Sequence, residues 1–345
     1  MSCYHPLTAI VNGIKENGKK DITVVSKQEN INVKNDSSII SLPCGKCIGC
    51  RLDYSRQWAD RCMLEASYHE RNCFITLTID DDHLNTQEPI YHGDIVWMPL
   101  DNMKNDWIEN LNCEPKPSLR KKDFQKFMKR LRKKLDKYDI KIRFFGCSEY
   151  GSKTFRPHYH AIIFGYDFSD DRVIYKCNFN GDKLYNSTLL SECWPFGFAV
   201  VADCNWNTCA YVSRYCLKKS DNDLSVFYDT FDAEPESVFM SRRPGIARKF
   251  YDDHRDDIYR FGCVYLPEKD GSRKIRPSRY FDKLYDIDCP EDMQTIRSNR
   301  NNALIQSINH IEENTDLNYF DFLKVKEYNH NRRIQILKER KVQNE

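Results

Sequence analysis

A helix with one strongly apolar side, expected between residues 118 and 137, limits the folds open to this chain more than any other feature. Its large apolar residues recur at helical spacing: Leu119, Phe124, Phe127, Met128, Leu131 and Leu135. We expect Ser118 to cap its N-terminus. Strand-like segments surround it, at 73–79, 140–147 and 158–165. Because so wide an apolar stripe must be covered by another layer, the helix is predicted to pack on a sheet formed by these strands.

The order of predicted elements defines the fold class. A helix at 51–71 precedes the first strand, and the third strand is followed by an insertion, a fourth strand at 197–202 and a helix at 205–219. This order predicts an α+β fold with a central antiparallel sheet flanked by helices. The 345 residues, of which 40% are hydrophobic, can bury a sizeable core.

The chain divides into four predicted segments. Residues 1–50 form an N-terminal segment with a cysteine cluster, and residues 51–220 form the core, interrupted by an insertion at 80–117. Residues 221–289 are an extension, and residues 290–345 a polar helical tail.

Charge is distributed unevenly along the chain. The net charge is only +2, yet residues 116–143 hold thirteen Lys and Arg against three Asp. Beside phosphate chemistry, such a block fits a polyanionic ligand. A solvated helix face accounts for it equally well, so both interpretations stay open.

Two histidines are the first candidates for chemistry. His158 and His160 stand two residues apart on a predicted strand, so both imidazoles point to the same face. The preceding strand ends at Glu149, and a tight connection would return its carboxylate beside them. One carboxylate and two imidazoles suit Mg²⁺ or Mn²⁺ with coordination positions left for a phosphate oxygen.

A tyrosine pair supplies a candidate nucleophile. Tyr211, Tyr215 and Lys219 fall on one stripe of a predicted helix. The pair alone is expected about once by chance in a chain this rich in tyrosine, but a lysine continuing the stripe fits a core badly. Since a phenol needs help to ionise, we expect Lys219, or else Lys218, to activate it. Tyr215 is closer to Lys219, so it is predicted to attack first and Tyr211 second.

These blocks resemble those of the HUH-class rolling-circle replication initiators. The resemblance rests on Phe74–Thr78, Arg156–His160 and Tyr211–Lys219, in that order. It is narrowest with the initiators of the Microviridae, of gokushovirus type, and extends over about residues 3–285. Three further segments support it: Pro43–Arg51, Ser241–Ile246 and Pro277–Phe281.

The resemblance implies an HUH endonuclease core of ferredoxin or RRM type. It also implies an activity: nicking at a phage origin, priming from the free 3′ hydroxyl and later joining of unit-length circles. The chain departs from the family at Cys147-Ser148 and at Ala247, where the family commonly has glycine. Neither departure touches a proposed metal ligand.

Cys44, Cys47 and Cys50 form a second candidate metal site. The Cys-x2-Cys-x2-Cys spacing is expected only about 0.03 times by chance. It favours a structural Zn²⁺, with Cys3 or His5 as fourth ligand. An iron–sulfur cluster is less favoured, and plain packing of reduced thiols stays open. Nine other cysteines are predicted to pack in the interior: Cys62, Cys73, Cys147, Cys177, Cys193, Cys204, Cys209, Cys216 and Cys263.

Two other functions compete with nicking. One is a non-catalytic module that binds single-stranded nucleic acid by phosphate contact and stacking. The other is a metal-dependent phosphodiesterase that uses water. The expected partners of a nicking enzyme are a single-stranded or supercoiled DNA origin and the host helicase and polymerase. Neither a signal peptide nor a membrane-spanning stretch is recognisable, so we expect the cytoplasm of a bacterial host and no membrane.

Overall fold

The computed structural model describes residues 3–14, 20–25, 39–84, 86–87, 116–151, 156–177, 181–214, 228, 233–268 and 271–342. These residues form two compact units. The smaller unit combines residues 1–54 with 278–345, and the larger comprises residues 55–277. Each unit is described by itself below.

The strands and helices are numbered along the chain. The strands are β1 Leu7–Ile14, β2 Lys20–Val25, β3 Ile39–Leu42, β4 Asn72–Thr78, β5 Thr86–Gln87, β6 Lys116–Pro117, β7 Arg143–Tyr150, β8 Pro157–Phe164, β9 Val173–Cys177, β10 Lys183–Asn186, β11 Ala199–Asp203, β12 Ser237–Met240, β13 Val264–Glu268 and β14 Gly271–Ile275. The helices are α1 Ile48–Ala66, α2 Lys121–Leu135, α3 Thr188–Cys193, α4 Trp206–Arg214, α5 Arg248–Phe261, α6 Arg279–Asp288, α7 Pro290–Asn314 and α8 Tyr319–Val342.

A seven-stranded sheet dominates the larger unit. Its order is β12-β7-β8-β4-β11-β10-β9, and every neighbouring pair is antiparallel. The predicted α+β class is therefore confirmed. The segment between β8 and β11, predicted only as an insertion, adds β9 and β10 to one edge. The extension after the core adds β12 to the other edge.

The helix α2 covers one face of this sheet. Its apolar stripe is buried, and it packs with the alternate residues Cys73, Ile75 and Leu77 of β4 and with Tyr159 of β8. Alternation of buried and half-buried positions along β4 matches the period of two that a sheet with different faces requires. The predicted helix-on-sheet packing is correct.

The predicted cap of this helix is wrong. The helix begins at Lys121, its N-cap is Arg120, and no side chain caps it. The hydroxyl of Ser118 instead accepts a hydrogen bond from the backbone N–H of Glu234, at 3.0 Å. The backbone N–H of Arg120 donates to the hydroxyl of Tyr159 at 3.0 Å. A buried tyrosine from the sheet therefore satisfies a donor at the helix entrance, which local spacing does not reveal.

The opposite face of the sheet packs against α1 and α4. Its buried residues include Phe145 and Cys147 of β7, Ile162 of β8, Ala59 of α1 and Val212 of α4. The catalytic candidates belong to this face, because they alternate along the strands with the residues that face α2.

The smaller unit contains the three-stranded antiparallel sheet β2-β1-β3 and the helices α6, α7 and α8. Its C-terminal part is helical, as the sequence predicts for the tail. Among the helices that the structure describes, none is both long enough and apolar enough to cross a bilayer.

The packing cysteines fall largely where predicted. Most are buried, and Cys204 is half-buried: Cys62, Cys73, Cys147, Cys193, Cys204, Cys209 and Cys263. Cys177 is exposed on the edge strand β9, so the prediction is wrong there. An edge strand presents both of its faces more openly than a central one. Cys216 lies outside the described residues.

Candidate active site and cysteine cluster

Strand register brings Glu149, His158 and His160 together. β7 and β8 pair antiparallel, with Glu149 opposite His158 and Cys147 opposite His160. Gly151 continues the turn by donating its N–H to the Arg156 carbonyl at 2.9 Å. The carboxylate is thus returned beside the imidazoles, as the sequence predicts. All three side chains lie on the face that packs against α1 and α4.

Glu149 and His160 form a buried pair. Nε2 of His160 lies 2.7 Å from Oε1 of Glu149, and the two residues are only 5% and 6% exposed. A buried carboxylate is costly unless it is partnered, and the imidazole is that partner. The pair can also act as two ligands of one ion, when the ion replaces the proton between them.

Two threonines of β4 orient the histidines. Thr76 and Thr78 stand opposite His160 and His158 in the register. Their hydroxyl oxygens lie 3.0 Å and 3.1 Å from Nδ1 of His160 and of His158, respectively. With Nδ1 engaged, Nε2 is the ring nitrogen that remains for the carboxylate or an ion. Metal-binding histidines are commonly held in this way, so the donor set fits a divalent ion.

His158 is kept in the form that a metal ligand requires. Burial lowers the pKa of His158 below its ordinary value, and the nearby His160 and Arg156 lower it further, while Glu149 acts in the opposite direction. The imidazole is therefore neutral at physiological pH. Arg156 is itself fixed by donating to the Ile79 carbonyl at 2.7 Å.

Tyr211 reaches the same carboxylate from α4. Its hydroxyl donates to Oε1 of Glu149 at 3.3 Å, and its ring meets the His160 ring edge to face, with centroids 5.1 Å apart. Phe74 of β4 stacks on the other side of the His160 ring, at 5.6 Å. Tyr211 is 37% exposed, so a ligand in solution can reach it. The arrangement puts a phenol next to the candidate metal ligands.

Three other predicted catalytic residues, Tyr215, Lys218 and Lys219, lie outside the described residues. The sequence argument favoured Tyr215 for the first attack, whereas the structure brings Tyr211 to Glu149.

The basic block is not beside the site. Most of its side chains belong to α2, which covers the sheet face opposite Glu149, His158 and His160. Arg130 donates to the Cys193 carbonyl at 2.7 Å and Lys134 pairs with Glu192, so part of the block has a structural role. The idea that it lies next to the phosphate chemistry is therefore wrong, because the sheet separates them.

The cysteine cluster assembles in the smaller unit. Ligand atoms of Cys3, Cys44, Cys47 and Cys50 all lie within 4.8 Å of one another, the one such group among the described residues. His5 does not join it, because its Nε2 lies 2.6 Å from the Glu327 carboxylate. Burial acts to raise the pKa of Cys47, but N–H donors from Tyr4 and Cys50 outweigh it and lower the pKa to about 7.

Sequence reasoning missed the roles of three residues in the site. Phe74, Thr76 and Thr78 contributed to the family resemblance, but no function was assigned to them individually. Their signal was the alternation itself: two hydroxyls and an aromatic ring on the strand face opposite the buried residues. Only the β4–β8 register indicates which histidine each threonine meets.

Comparison with known proteins gives the class. The sequence pattern of a family of replication-associated proteins, the one typified by "Replication-associated protein ORF2", matches residues 106–220. That span includes Glu149, His158, His160 and Tyr211. No solved structure matches the chain.

Individual relatives narrow the class to particular phages. The chain is 29% identical to "Replication-associated protein ORF2" of Spiroplasma virus 4, over 82% of this chain and 80% of the relative. It is 28% identical to "Replication-associated protein VP4" of Bdellovibrio phage phiMH2K, over 84% and 79%. A protein of Chlamydia phage 1, "Replication-associated protein ORF4", is 31% identical over 52% of this chain and 38% of the relative. The predicted resemblance to replication initiators of Microviridae type is confirmed.

Proposed function

We propose that this chain initiates rolling-circle replication by nicking single-stranded DNA at a phage origin with a tyrosine, and later rejoins the strand. Its similarity to phage replication-associated proteins supports a replication role. The nicking chemistry is supported by one observation above all. The Tyr211 hydroxyl and Nε2 of His160 both contact Oε1 of Glu149.

A divalent ion completes the proposed site. Glu149, His158 and His160 are the residues that would hold Mg²⁺ or Mn²⁺. Bound there, the ion would stabilise charge on the scissile phosphate. The threonine contacts to Nδ1 keep both imidazoles turned for that purpose.

The proposed reaction is a transesterification. The Tyr211 oxygen attacks the phosphorus, a tyrosyl–phosphate bond forms, and the bond from phosphorus to the 3′ oxygen breaks. The phenol loses its proton and the departing 3′ oxygen gains one. The product is a 5′-phosphotyrosine and a free 3′ hydroxyl. Attack of a 3′ hydroxyl on that adduct reverses the bonds and joins a strand.

Tyr211 takes the first attack in this proposal, because it already contacts Glu149. Tyr215 is one helical turn further along the sequence and is proposed for the second cleavage. Lys219, or else Lys218, remains the proposed cation that favours the ionised phenol.

The proposed setting follows from the relatives. The free 3′ hydroxyl would prime synthesis by the host polymerase, and a host helicase would open the strand ahead of it. The substrate would be the single-stranded or supercoiled origin of the phage, in the cytoplasm of a bacterial host.

A covalent adduct is the decisive test. Full-length protein is incubated with Mn²⁺ and single-stranded oligonucleotides that tile the genome encoding the chain, and the products are run on a denaturing gel. Because the adduct is on the 5′ end of the downstream fragment, a 3′-labelled oligonucleotide should give a band shifted by the mass of the protein. A 5′-labelled one should give a shorter fragment with an extendable 3′ end.

Variants assign the roles. Tyr211→Phe should reduce the shifted band strongly, the double change with Tyr215→Phe should abolish it, and Glu149→Gln should reduce it. Tyr175→Phe, an exposed position on β9, is the matched control and should leave the band unchanged. Cleavage without any shifted band would mean that water is the nucleophile. Binding without cleavage would mean a non-catalytic nucleic-acid-binding module. Either result overturns the proposal.

A further inference from the structure

The cysteine cluster joins three separate pieces of the smaller unit. Cys3 precedes β1, Cys44 and Cys47 lie between β3 and α1, and Cys50 lies in the first turn of α1. The sulfur atoms of Cys44 and Cys50 are 4.0 Å apart, as are those of Cys3 and Cys47. Residues more than forty positions apart in sequence therefore converge on one point.

These separations match a single tetrahedral ion. With Zn–S bonds of about 2.3 Å, the sulfurs of a tetrahedral tetrathiolate lie about 3.8 Å apart. A disulfide would need about 2.05 Å, and the cysteines are free. An iron–sulfur cluster binds its cysteines to different iron atoms, which would spread the sulfurs further than the 4.8 Å that encloses this group.

Backbone donors surround the sulfurs. The N–H groups of Tyr4 and Cys50 donate to Sγ of Cys47, at 3.3 Å and 3.4 Å. The N–H of Cys44 donates to Sγ of Cys3, and the N–H of Cys47 to Sγ of Cys44, both at 3.3 Å. Such donors stabilise sulfur in its anionic form, which is the form that binds a metal.

The residues that follow Cys3 contact the helix α8. The Tyr4 hydroxyl lies 2.7 Å from Nδ1 of His330. His5 Nε2 lies 2.6 Å from the Glu327 carboxylate. The segment fixed by the cluster therefore also binds a helix from the other end of the sequence.

We propose that Cys3, Cys44, Cys47 and Cys50 hold one structural Zn²⁺ ion that fastens the segment before β1 to the start of α1 and, through Tyr4 and His5, supports α8. Four protein thiolates fill a tetrahedral shell and leave no position for water or substrate, which distinguishes a structural from a catalytic zinc site. The proposal is independent of the nicking chemistry, which uses oxygen and nitrogen donors in the other unit.

Metal content tests the proposal directly. Full-length protein purified under reducing conditions should contain about one zinc per chain by elemental analysis. Cys47→Ser should lose it, whereas Cys289→Ser, a half-buried cysteine of the same unit outside the cluster, should retain it. Wild-type protein without zinc, iron–sulfur absorption in its place, two disulfides by mass spectrometry, or full zinc in Cys47→Ser would each overturn the proposal.

A second measurement avoids dependence on a variant that fails to fold. Wild-type protein in which Co²⁺ replaces the native metal should show the intense visible bands of tetrahedral tetrathiolate cobalt. Removal of the ion by a chelator should then expose α8 to trypsin at Lys324 and Lys326, and added Zn²⁺ should restore protection. A six-coordinate cobalt spectrum, or α8 cleavage that does not respond to zinc, would contradict the proposed arrangement.

Discussion

On β4, Cys73, Ile75 and Leu77 face α2 and are completely buried, whereas Phe74, Thr76 and Thr78 face the opposite way and are only half-buried. The first set is apolar throughout and belongs to the large core beneath α2. The second set becomes polar toward one end and there meets the histidines of β8. The same strand thus contributes to a closed core on one side and to the candidate active site on the other.

The difference separates stability from chemistry. The α2 face is filled by aromatic and aliphatic side chains that need no polar partner. The opposite face carries buried charges that must be partnered, such as Glu149 and Glu65. Variants on the first face should therefore change mainly the free energy of unfolding, and variants at the polar end of the second should change mainly metal binding.

The largest effect is expected from removing a ring on the closed face. Phe127→Ala deletes a completely buried side chain of α2 and should lower the free energy of unfolding by about 3–5 kcal/mol. Val173→Ala, an exposed position on β9, should change it by less than about 0.5 kcal/mol. Urea unfolding followed by circular dichroism measures both. A loss below about 1 kcal/mol for Phe127→Ala would mean that α2 does not close a core.

A smaller, pH-dependent effect is expected at Glu65 on the opposite face. Burial would raise the pKa of Glu65, but hydrogen bonds from His69 and from the Ala247 N–H, together with Arg143, outweigh it and lower the pKa. A lowered pKa means stability that is present above the unfolded pKa of about 4.3 and is lost as the pH falls through the folded value.

Glu65→Gln should therefore cost about 1.5–3 kcal/mol at pH 7, and the difference from the parent should shrink in acid. Glu70→Gln, an exposed position nearby, serves as the control and should show little effect at either pH. The pairing would be shown to matter less than its geometry indicates if the two variants unfolded alike at pH 7.

The threonines should affect metal binding more than stability. Thr76→Val removes the hydroxyl that orients His160 and should weaken Mn²⁺ binding by about 10–100-fold in calorimetric titration. Thr76→Ser keeps the hydroxyl and should bind nearly as the parent does. Thr295→Val, on α7, should have no effect. Equal affinities for the valine and serine variants would show that the hydroxyl has no orienting role.

The smallest effect has the opposite sign. Ala247 adopts a left-handed conformation, with φ of 59°, and its N–H donates to Glu65 at 2.6 Å. Ala247→Gly should relieve that strain and raise the free energy of unfolding by about 0.5–1 kcal/mol. Ala303→Gly, in the middle of α7, should lower it by a similar amount. Destabilisation by both changes would mean that the left-handed conformation at Ala247 is not strained.

Local patterns predicted what depends on periodicity. The stripe on α2, the alternation along β4 and β8, and the return of Glu149 to the histidines all follow from spacing within a short stretch. The same resemblance that named glycine as usual at position 247 now has a physical reason, because glycine adopts a left-handed backbone more readily.

Long-range partners were beyond the reach of spacing. Ser118 looks like a helix cap, but its hydroxyl binds the Glu234 N–H, and a tyrosine from the sheet satisfies the helix entrance. The basic block lies near the histidines in sequence and yet on the far side of the sheet. In both cases the pairing of strands, not the local sequence, decides which groups meet.

One carboxylate oxygen, Oε1 of Glu149, contacts both the His160 imidazole and the Tyr211 hydroxyl. This shared contact has a thermodynamic consequence. If an ion displaces Glu149 from either partner, ion binding and tyrosine position become linked equilibria, and the coupling must be equal in both directions. Whatever factor the ion contributes to holding Tyr211 ready, Tyr211 must contribute to holding the ion. Conversion of Tyr211 to its phosphodiester would therefore change the affinity for the ion, and the enzyme would hold its metal differently before and after the nick.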